Sequence, residues 1–368
     1  MKITIFSILS ALIFVFGALA FSVPFLPAVG GKPSKADKKN YLLRAKNFDG
    51  EKFHNLNLEN ESIMVKTKDI DPKRLSNKPE KPQSSLPVKF PGFIENPKNE
   101  DFTLTWFGHS TLLIQMHGMN ILFDPVFSKR TSPVSWIGPK RFSSPTVKIS
   151  ELPKIDILIL THDHYDHLDY ESIKKLSSKT TRFIVPLGVE AHLKKWKIPE
   201  EKITNMAWWE EININGLAIT TTPAQHFSGR WITGGNATLW NSYVLKDEFR
   251  QIFESGDSGF GKHFEEIHGR FGDMDLALME CGQYNVRWPT IHSFPEESAQ
   301  EAAILGAKIA MPIHWGAFVL STNAWDDSIL RFKKTAKELN LNMITPYLCE
   351  TADLAKPEDY KAEWWKWL

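Results

Sequence analysis

"ILILTHDHYDHLDY", residues 157–170, places four apolar residues directly before three histidines and three aspartates within eight positions. The apolar run 155–160 has the length and composition of a buried strand. The residues after it have the composition of a ligand loop. His162, His164, Asp166 and His167 form the pattern H-x-H-x-D-H. His162 and His164 are two apart, so an extended backbone lets them face the same way. Asp166 and His167 come after a turn and can address a second point. Imidazole nitrogen and carboxylate oxygen suit zinc and similar divalent metals. A single such histidine reads more readily as part of a solvated loop. Four ligand-type side chains at this spacing, closing a buried strand, point to metal binding.

Four side chains do not complete two metal sites, and three further stretches supply candidates. "LAITTTPAQH" ends in His226, "RQIFESGD" ends in Asp257, and "KIAMPIHW" reaches His314. Each comes after a strand-like run, so each belongs on a loop at a strand end, where loops along one rim converge on a cleft. Alone, His226 or His314 would read as a structural or surface histidine. Their repeated placement after strands reverses that weighting. His109 and Asp124 also come after strand-like runs and are expected to orient ligands or loops.

From residue 101 the chain alternates strand and helix signals. "FTLTWFG" reads as a strand, and "TLLIQMHGMNILFDP" as a hairpin turning near Gly118. Further apolar runs lie at 155–160, 182–187, 217–221, 251–254, 275–279 and 307–313, with helical patterns at 170–177, 188–196 and 295–306. The last has Pro295 in its first turn with acids behind it. Interleaved strands and helices argue an α/β protein. The short turns between the early strands argue mixed rather than all-parallel sheets.

The chain has 368 residues and a formal net charge of +1. No global basic field favours nucleic acid as a partner. Its two cysteines, Cys281 and Cys349, exclude a multi-disulfide framework and leave one disulfide or two inert thiols. The first 29 residues stand apart, with Lys2 and then no charge until Lys32. That run reads as a membrane anchor or as a signal peptide with a cleavage site near Ala18-Leu19-Ala20. Lys32, Lys35, Lys38 and Lys39 would hold the segment after an anchor in the cytoplasm, whereas a cleaved signal would export the chain. Residues 30–100 carry six prolines in 71–100 alone and read as a linker or wrapping arm, leaving 101–368 as the main folded domain.

Six stretches carry a family resemblance: "TWFGHSTLLI", "FDPVFSKRTSPVSWIGPKRFSSP", "ELPKIDILILTHDHYDHLD", "HFSGR", "SGDSGF" and "MPIHWGAF". Together the set resembles the metallo-β-lactamase fold superfamily, and within it the phospholipase D enzymes that hydrolyse N-acyl-phosphatidylethanolamine and their bacterial relatives. The resemblance implies an αββα sandwich of two mixed β-sheets flanked by helices. It implies two divalent metal ions, zinc being the expected one, although His and Asp ligands also suit iron and manganese. One ion would be held by His162, His164 and His226, the other by Asp166, His167 and His314, with Asp257 between them and a bridging hydroxide as nucleophile. His292, beside the helix beginning at Pro295, is implied as a proton-transfer group near the substrate. Asp163 is a further catalytic candidate, or else an exposed loop carboxylate.

The implied function is phosphodiester hydrolysis of phospholipase D type, on a membrane lipid or a small phosphodiester. The implied setting is a bacterial inner membrane or the periplasm, reached through the N-terminal segment, and a homodimer is allowed. Trp136, Trp231 and Trp288 are candidates to line an acyl groove, and Lys140 and Arg141 to meet an anionic head group. The terminal "YKAEWWKWL" either rests at a membrane interface or closes the core. One stretch departs from the family: "ECGQYNVRW", 280–288, puts Glu280, Cys281 and Gln283 where less polar residues are expected. A lactonase or other ester hydrolase of the same fold, and a non-catalytic metal-binding scaffold, are the competing readings.

Overall fold

The computed structural model describes residues 23–56, 76–144, 147–230 and 234–368. The first sheet contains β1 (Phe102–Trp106), β2 (Leu112–Met116), β3 (Met119–Phe123), β4 (Ile155–Ile159), β5 (Thr180–Pro186) and β6 (Ile203–Met206). The second contains β7 (Glu211–Ile214), β8 (Leu217–Pro223), β9 (Asn241–Lys246), β10 (Gln251–Glu254), β11 (Leu276–Glu280) and β12 (Ala310–Ile313). A last strand, β13 (Thr351–Asp353), returns to the first sheet beside β1. The orders are β13-β1-β2-β3-β4-β5-β6 and β12-β11-β10-β9-β8-β7. Both sheets are mixed. β3 to β6 run parallel, as do β10 to β12, while β1, β2 and β3 pair antiparallel, and likewise β7 to β10.

Six helices cover the sandwich among the described residues: α1 (Lys35–Arg44), α2 (Tyr170–Leu176), α3 (Glu190–Lys195), α4 (His263–Phe271), α5 (Pro295–Ile304) and α6 (Asp327–Glu338). The strand period of two explains the layering. Along β4 and its continuation, Ile157 and Ile159 face the second sheet, packing with Ile219, Leu245 and Leu278. Leu158 and Leu160 face the other way, onto Leu168, Ile173 and Leu193. The outer face of the second sheet, with Val244, Phe253 and Ala277, is covered by Phe264, Ala299 and Phe332 of α4, α5 and α6. A strand buried on both faces must be a continuous aliphatic run, which is why residues 155–160 carry so little polarity. Truncating Ile157 to Ala would open a void between the sheets and cost about 2–5 kcal/mol.

The hairpin expected near Gly118 is present. Met116 pairs with Met119, and His117 (φ 51°) and Gly118 (φ 67°) make a two-residue turn with both centres in the left-handed region. Asp169, the last acid of the opening stretch, is not a ligand but a helix cap: its carboxylate accepts the Ser172 N–H at the start of α2. The expected strands and helices are all present, within a few residues of their expected ends. β6, β7, β9, β13 and the helices α1, α4 and α6 were not anticipated.

Two thiols, not a disulfide, are present: Cys281 and Cys349 are free and buried. Trp364 and Trp365 are fully buried against Trp315, so the terminal stretch closes the core. Of the anchor or signal expected over 1–29, residues 1–22 lie outside the described residues, and 23–29 form two short 3-10 turns. No described helix is long and apolar enough to cross a membrane. The arm beyond them does more than link. Tyr41, Phe48 and Phe53 make a small core with Trp208 and Trp240. Arg44 grips Glu210 with two nitrogens, at 2.9 and 2.6 Å.

Candidate metal centre

Every expected ligand arises where a strand stops. β4 leads into His162, β8 into His226, β10 into Asp257 and β12 into His314, and these ends lie on one rim of the sandwich. The two sheets are tied at that rim. The His109 N–H donates to Trp315 O at 2.9 Å, and the His314 N–H returns to His109 O at 3.0 Å. Three rim residues hold left-handed backbone without being glycine: His109 (φ 56°), Asp124 (φ 37°) and His314 (φ 65°). Such strain persists where surroundings over-determine the conformation, and it concentrates at functional sites. Gly282 lets the β11 loop approach: a Cβ there would lie 2.3 Å from His314 Nδ1.

The ligand atoms form two groups. His162 Nε2 lies 2.8 Å from His164 Nδ1, and His226 Nε2 lies 3.1 Å from the same atom. Asp257 Oδ2 faces this group, 3.8 Å from His162 and 3.7 Å from His226. The other oxygen, Oδ1, lies 3.2 Å from His167 Nε2 and 3.1 Å from His314 Nε2. Asp166 Oδ2 completes the second group, 3.5 Å from His314 and 3.7 Å from His167. One carboxylate therefore presents an oxygen to each group.

Outer contacts fix the rings. Asp124 Oδ2 accepts from His167 Nδ1 at 2.6 Å and from the Thr161 hydroxyl at 2.6 Å, so Nε2 of His167 is left for the centre. His226 Nδ1 donates to Ile291 O at 2.9 Å, with the same result. His109 Nε2 lies 2.9 Å from Asp166 Oδ2, the orienting contact expected of it.

The buried acids set the charge of the site. Burial pushes Asp257 up, but His167 and His314 outweigh it and hold the carboxyl well below the usual range. Burial likewise opposes charge on His314, yet Asp257, Asp166 and Glu280 raise it to about 10. The cluster thus demands positive charge. His167 Nε2, His314 Nε2 and Asp257 Oδ1 are buried and have no hydrogen-bond partner among the described residues, although they converge on one point. Unpaired buried polar atoms are costly. Divalent cations would satisfy these atoms and the charge together, so the donor set fits two metal ions.

A family model described as a beta-lactamase superfamily domain matches residues 119–315. The chain belongs to the metallo-β-lactamase superfamily. It is a metal-dependent hydrolase of that superfamily. Among its relatives, an uncharacterized protein of Mycobacterium tuberculosis is 33% identical over 290 residues, covering 78% of this chain and 77% of the relative. The N-acyl-phosphatidylethanolamine-hydrolyzing phospholipase D 1 of Caenorhabditis elegans is 34% identical over 233 residues, covering 60% of this chain and 65% of that protein. A solved metallo hydrolase from the archaeon Ignicoccus hospitalis shares the fold, with a TM-score of 0.52 at 19% identity over 68% of this chain and 97% of that one.

A cleft of about 300 Å³ opens over the centre, and His164, Asp166, Asp257 and His314 reach it. His292 stands in its wall, with Nδ1 3.4 Å from the buried Glu280 Oε1. Burial disfavours a charged His292, but Glu280 and Asp257 outweigh it and raise its pKa. Glu280 is also 3.7 Å from His314 Nδ1 and accepts the Gly282 N–H at 3.0 Å. The polar departure at residue 280 is thus a support for two histidines, not part of an apolar opening. Trp288 lines the cleft, Trp136 projects to solvent, and Trp231 lies outside the described residues.

Asp163 is placed differently from its catalytic expectation. It is buried rather than exposed, and it points away from the centre. Oδ1 accepts the Gly229 N–H at 2.7 Å, and Oδ2 lies 3.2 Å from His192 Nε2. Sequence reasoning missed its neighbours. Buried Arg230 donates to the carbonyls of Asp163, Leu168 and Ala28, bracing the ligand loop against the N-terminal segment. Arg230 closes the "HFSGR" stretch, which was its only signal. Asn55, from the arm, also braces a ligand: its side chain bonds the backbone O and N of His226 at 2.7 and 3.1 Å.

Proposed function

We propose that the chain is a dinuclear phosphodiesterase of phospholipase D type that acts on N-acyl-phosphatidylethanolamine-like lipids, with zinc as its metal. The observation that carries this is Asp257, which offers one oxygen to each ligand group. Bound there, divalent cations supply a nucleophilic water near neutral pH and offset charge on the phosphoryl oxygens. His162, His164 and His226 would hold one cation, and Asp166, His167 and His314 the other. The Caenorhabditis elegans relative, an N-acyl-phosphatidylethanolamine-hydrolyzing phospholipase D, supplies the substrate class.

This chain's own residues do the rest. Phe227, Trp288 and Leu320 give the cleft apolar walls suited to a lipid next to its phosphate. Water adds at phosphorus, the bond to the amino-alcohol oxygen breaks, and that oxygen leaves needing a proton. His292, held through Nδ1 by Glu280, delivers it. The apolar run at the N-terminus supports a membrane setting for such an enzyme.

The test is a hydrolysis panel on detergent-solubilised full-length protein: N-acyl-phosphatidylethanolamine, a simple phosphodiester, a lactone and a β-lactam. Turnover of the phospholipid, with His292→Ala lowering kcat more than it changes KM, is the expected result. A lactone turned over while the phospholipid stays inert would replace this function with ester hydrolysis.

A further inference from the structure

A second concavity lies apart from the one over the metal centre. It measures about 1010 Å³ and lies beside the base of the loop after β3. Four exposed lysines, Lys129, Lys140, Lys148 and Lys175, line it, and no described lining residue is an acid. None of the four is ion-paired with a described carboxylate, unlike Lys89 or Lys308 elsewhere on the surface. In a chain of net charge +1, this is a local concentration of uncompensated positive charge.

Next to it stands an apolar tip. Trp136 is 66% exposed and Ile137 56% exposed, adjacent in sequence and unusual for their size. The loop beneath them is braced at its base. Arg130 pairs with Lys140 as an antiparallel bridge, and the Arg141 N–H donates to Lys129 O at 2.9 Å. The Thr131 N–H donates to Pro139 O at 3.2 Å, and the Arg130 side chain donates to Gly138 O at 2.6 Å. A braced loop holds its apolar tip out without incurring an ordering cost on contact. Thr131 and Pro139, at its base, line the metal cleft.

We propose that residues 129–141, with the lysine-lined groove beside them, form a docking surface for an anionic phospholipid bilayer, with Trp136 and Ile137 entering the interface. Tryptophan prefers the headgroup level, and lysines near a negative surface each strengthen binding, by roughly fivefold. Stable anchoring takes two signals together, such as an apolar insertion and a basic patch, and this loop and groove combine them. Docking in this way would bring the cleft mouth to the lipid, a second contact distinct from the N-terminal run. The surface stands independently of the reaction assigned to the cleft.

The test uses the full chain with Ile137→Cys carrying an environment-sensitive fluorophore, the native Cys281 and Cys349 being buried. The protein is bound to vesicles of phosphatidylglycerol and phosphatidylcholine in equal parts, and its attachment is checked by flotation. The label should shift to the blue and be quenched by acyl-chain nitroxides. Both signals should be lost on the combined Lys129→Glu, Lys148→Glu, Lys175→Glu variant and in high salt. A label that stays in water while the protein floats with the vesicles overturns the proposal. So does a shift produced by heparin but not by lipid, which would assign the groove to an acidic macromolecule.

Discussion

Asp163 and Asp166 lie three residues apart on one loop, and their surroundings hold both well below the usual carboxylate range. They serve opposite sides. Asp166 faces inward with His167 and His314, where its oxygen has room for a cation. Asp163 faces outward, gives its oxygens to Gly229 and His192, and sits beside the Arg230 brace. Asp166 also has a histidine contact, from His109, but it faces a space where His167 Nε2, Asp257 Oδ1 and His314 Nε2 lack hydrogen-bond partners among the described residues, whereas the outer carboxylate meets only Gly229 and His192. The difference teaches that a carboxylate's role here depends on what else it faces: hydrogen-bond partners alone, or a cluster of unpaired ligand atoms as well.

The sharpest way to break that comparison is on the inner side. Asp257→Ala removes the carboxylate shared by both groups and should lower turnover by about a thousandfold, since metal charge stabilisation is worth several kcal/mol. Its fold, monitored by circular dichroism, should persist. Near-normal turnover in this variant would leave the shared-carboxylate arrangement without a function.

The outer side predicts a different signature. Asp163→Ala strips partners from Gly229 and His192 and leaves buried Arg230 with less compensation, so stability should fall by about 3 kcal/mol in denaturant. Turnover of the folded, metal-saturated variant should stay within about tenfold of the parent. A stable, metal-loaded Asp163→Ala protein with no turnover would restore the catalytic role expected from sequence.

A smaller effect belongs to an outer support on the second sheet. His263 lies 3.0 Å from Ser258 Oγ, which also accepts the Gln225 N–H next to His226. Burial lowers His263 from 6.5 to about 3. The folded form therefore resists protonation while the unfolded chain accepts it. The contribution is fully present above 6.5 and is lost as pH falls toward 3. At pH 5 the loss should be about 2 kcal/mol relative to neutral pH. His263→Gln should remove that part of the acid sensitivity, and an unchanged pH slope would show that His263 does not carry it.

Much of the inner side was legible from sequence because it obeys local rules. A two-sided buried strand must be aliphatic, and ligands two residues apart share a face, so β4 and the pattern from His162 to His167 could be read directly. His226, Asp257 and His314 were legible through a repeated position, each just past a strand. The outer side was not, because its partners come from far along the chain: Asp163 meets His192 and Gly229, and Asn55 meets His226. Nothing in the spacing of Asp163 and Asp166 says which one turns inward. β7 and β9 were missed because flanking polar residues shorten their apolar signal. The arm around Tyr41 and Phe53 was missed because its few aromatics are scattered among lysines, and only the Trp208 and Trp240 surface makes them a core.

At the centre of the molecule, two ligand groups share Asp257, and together they are expected to hold two metal ions. Elemental analysis of full-length protein purified without chelator measures this most directly. Two metal ions per chain in the parent, with a clear deficit in Asp257→Ala, is the predicted result. Fewer than one ion per chain in the parent, with no gain on adding zinc, would contradict it.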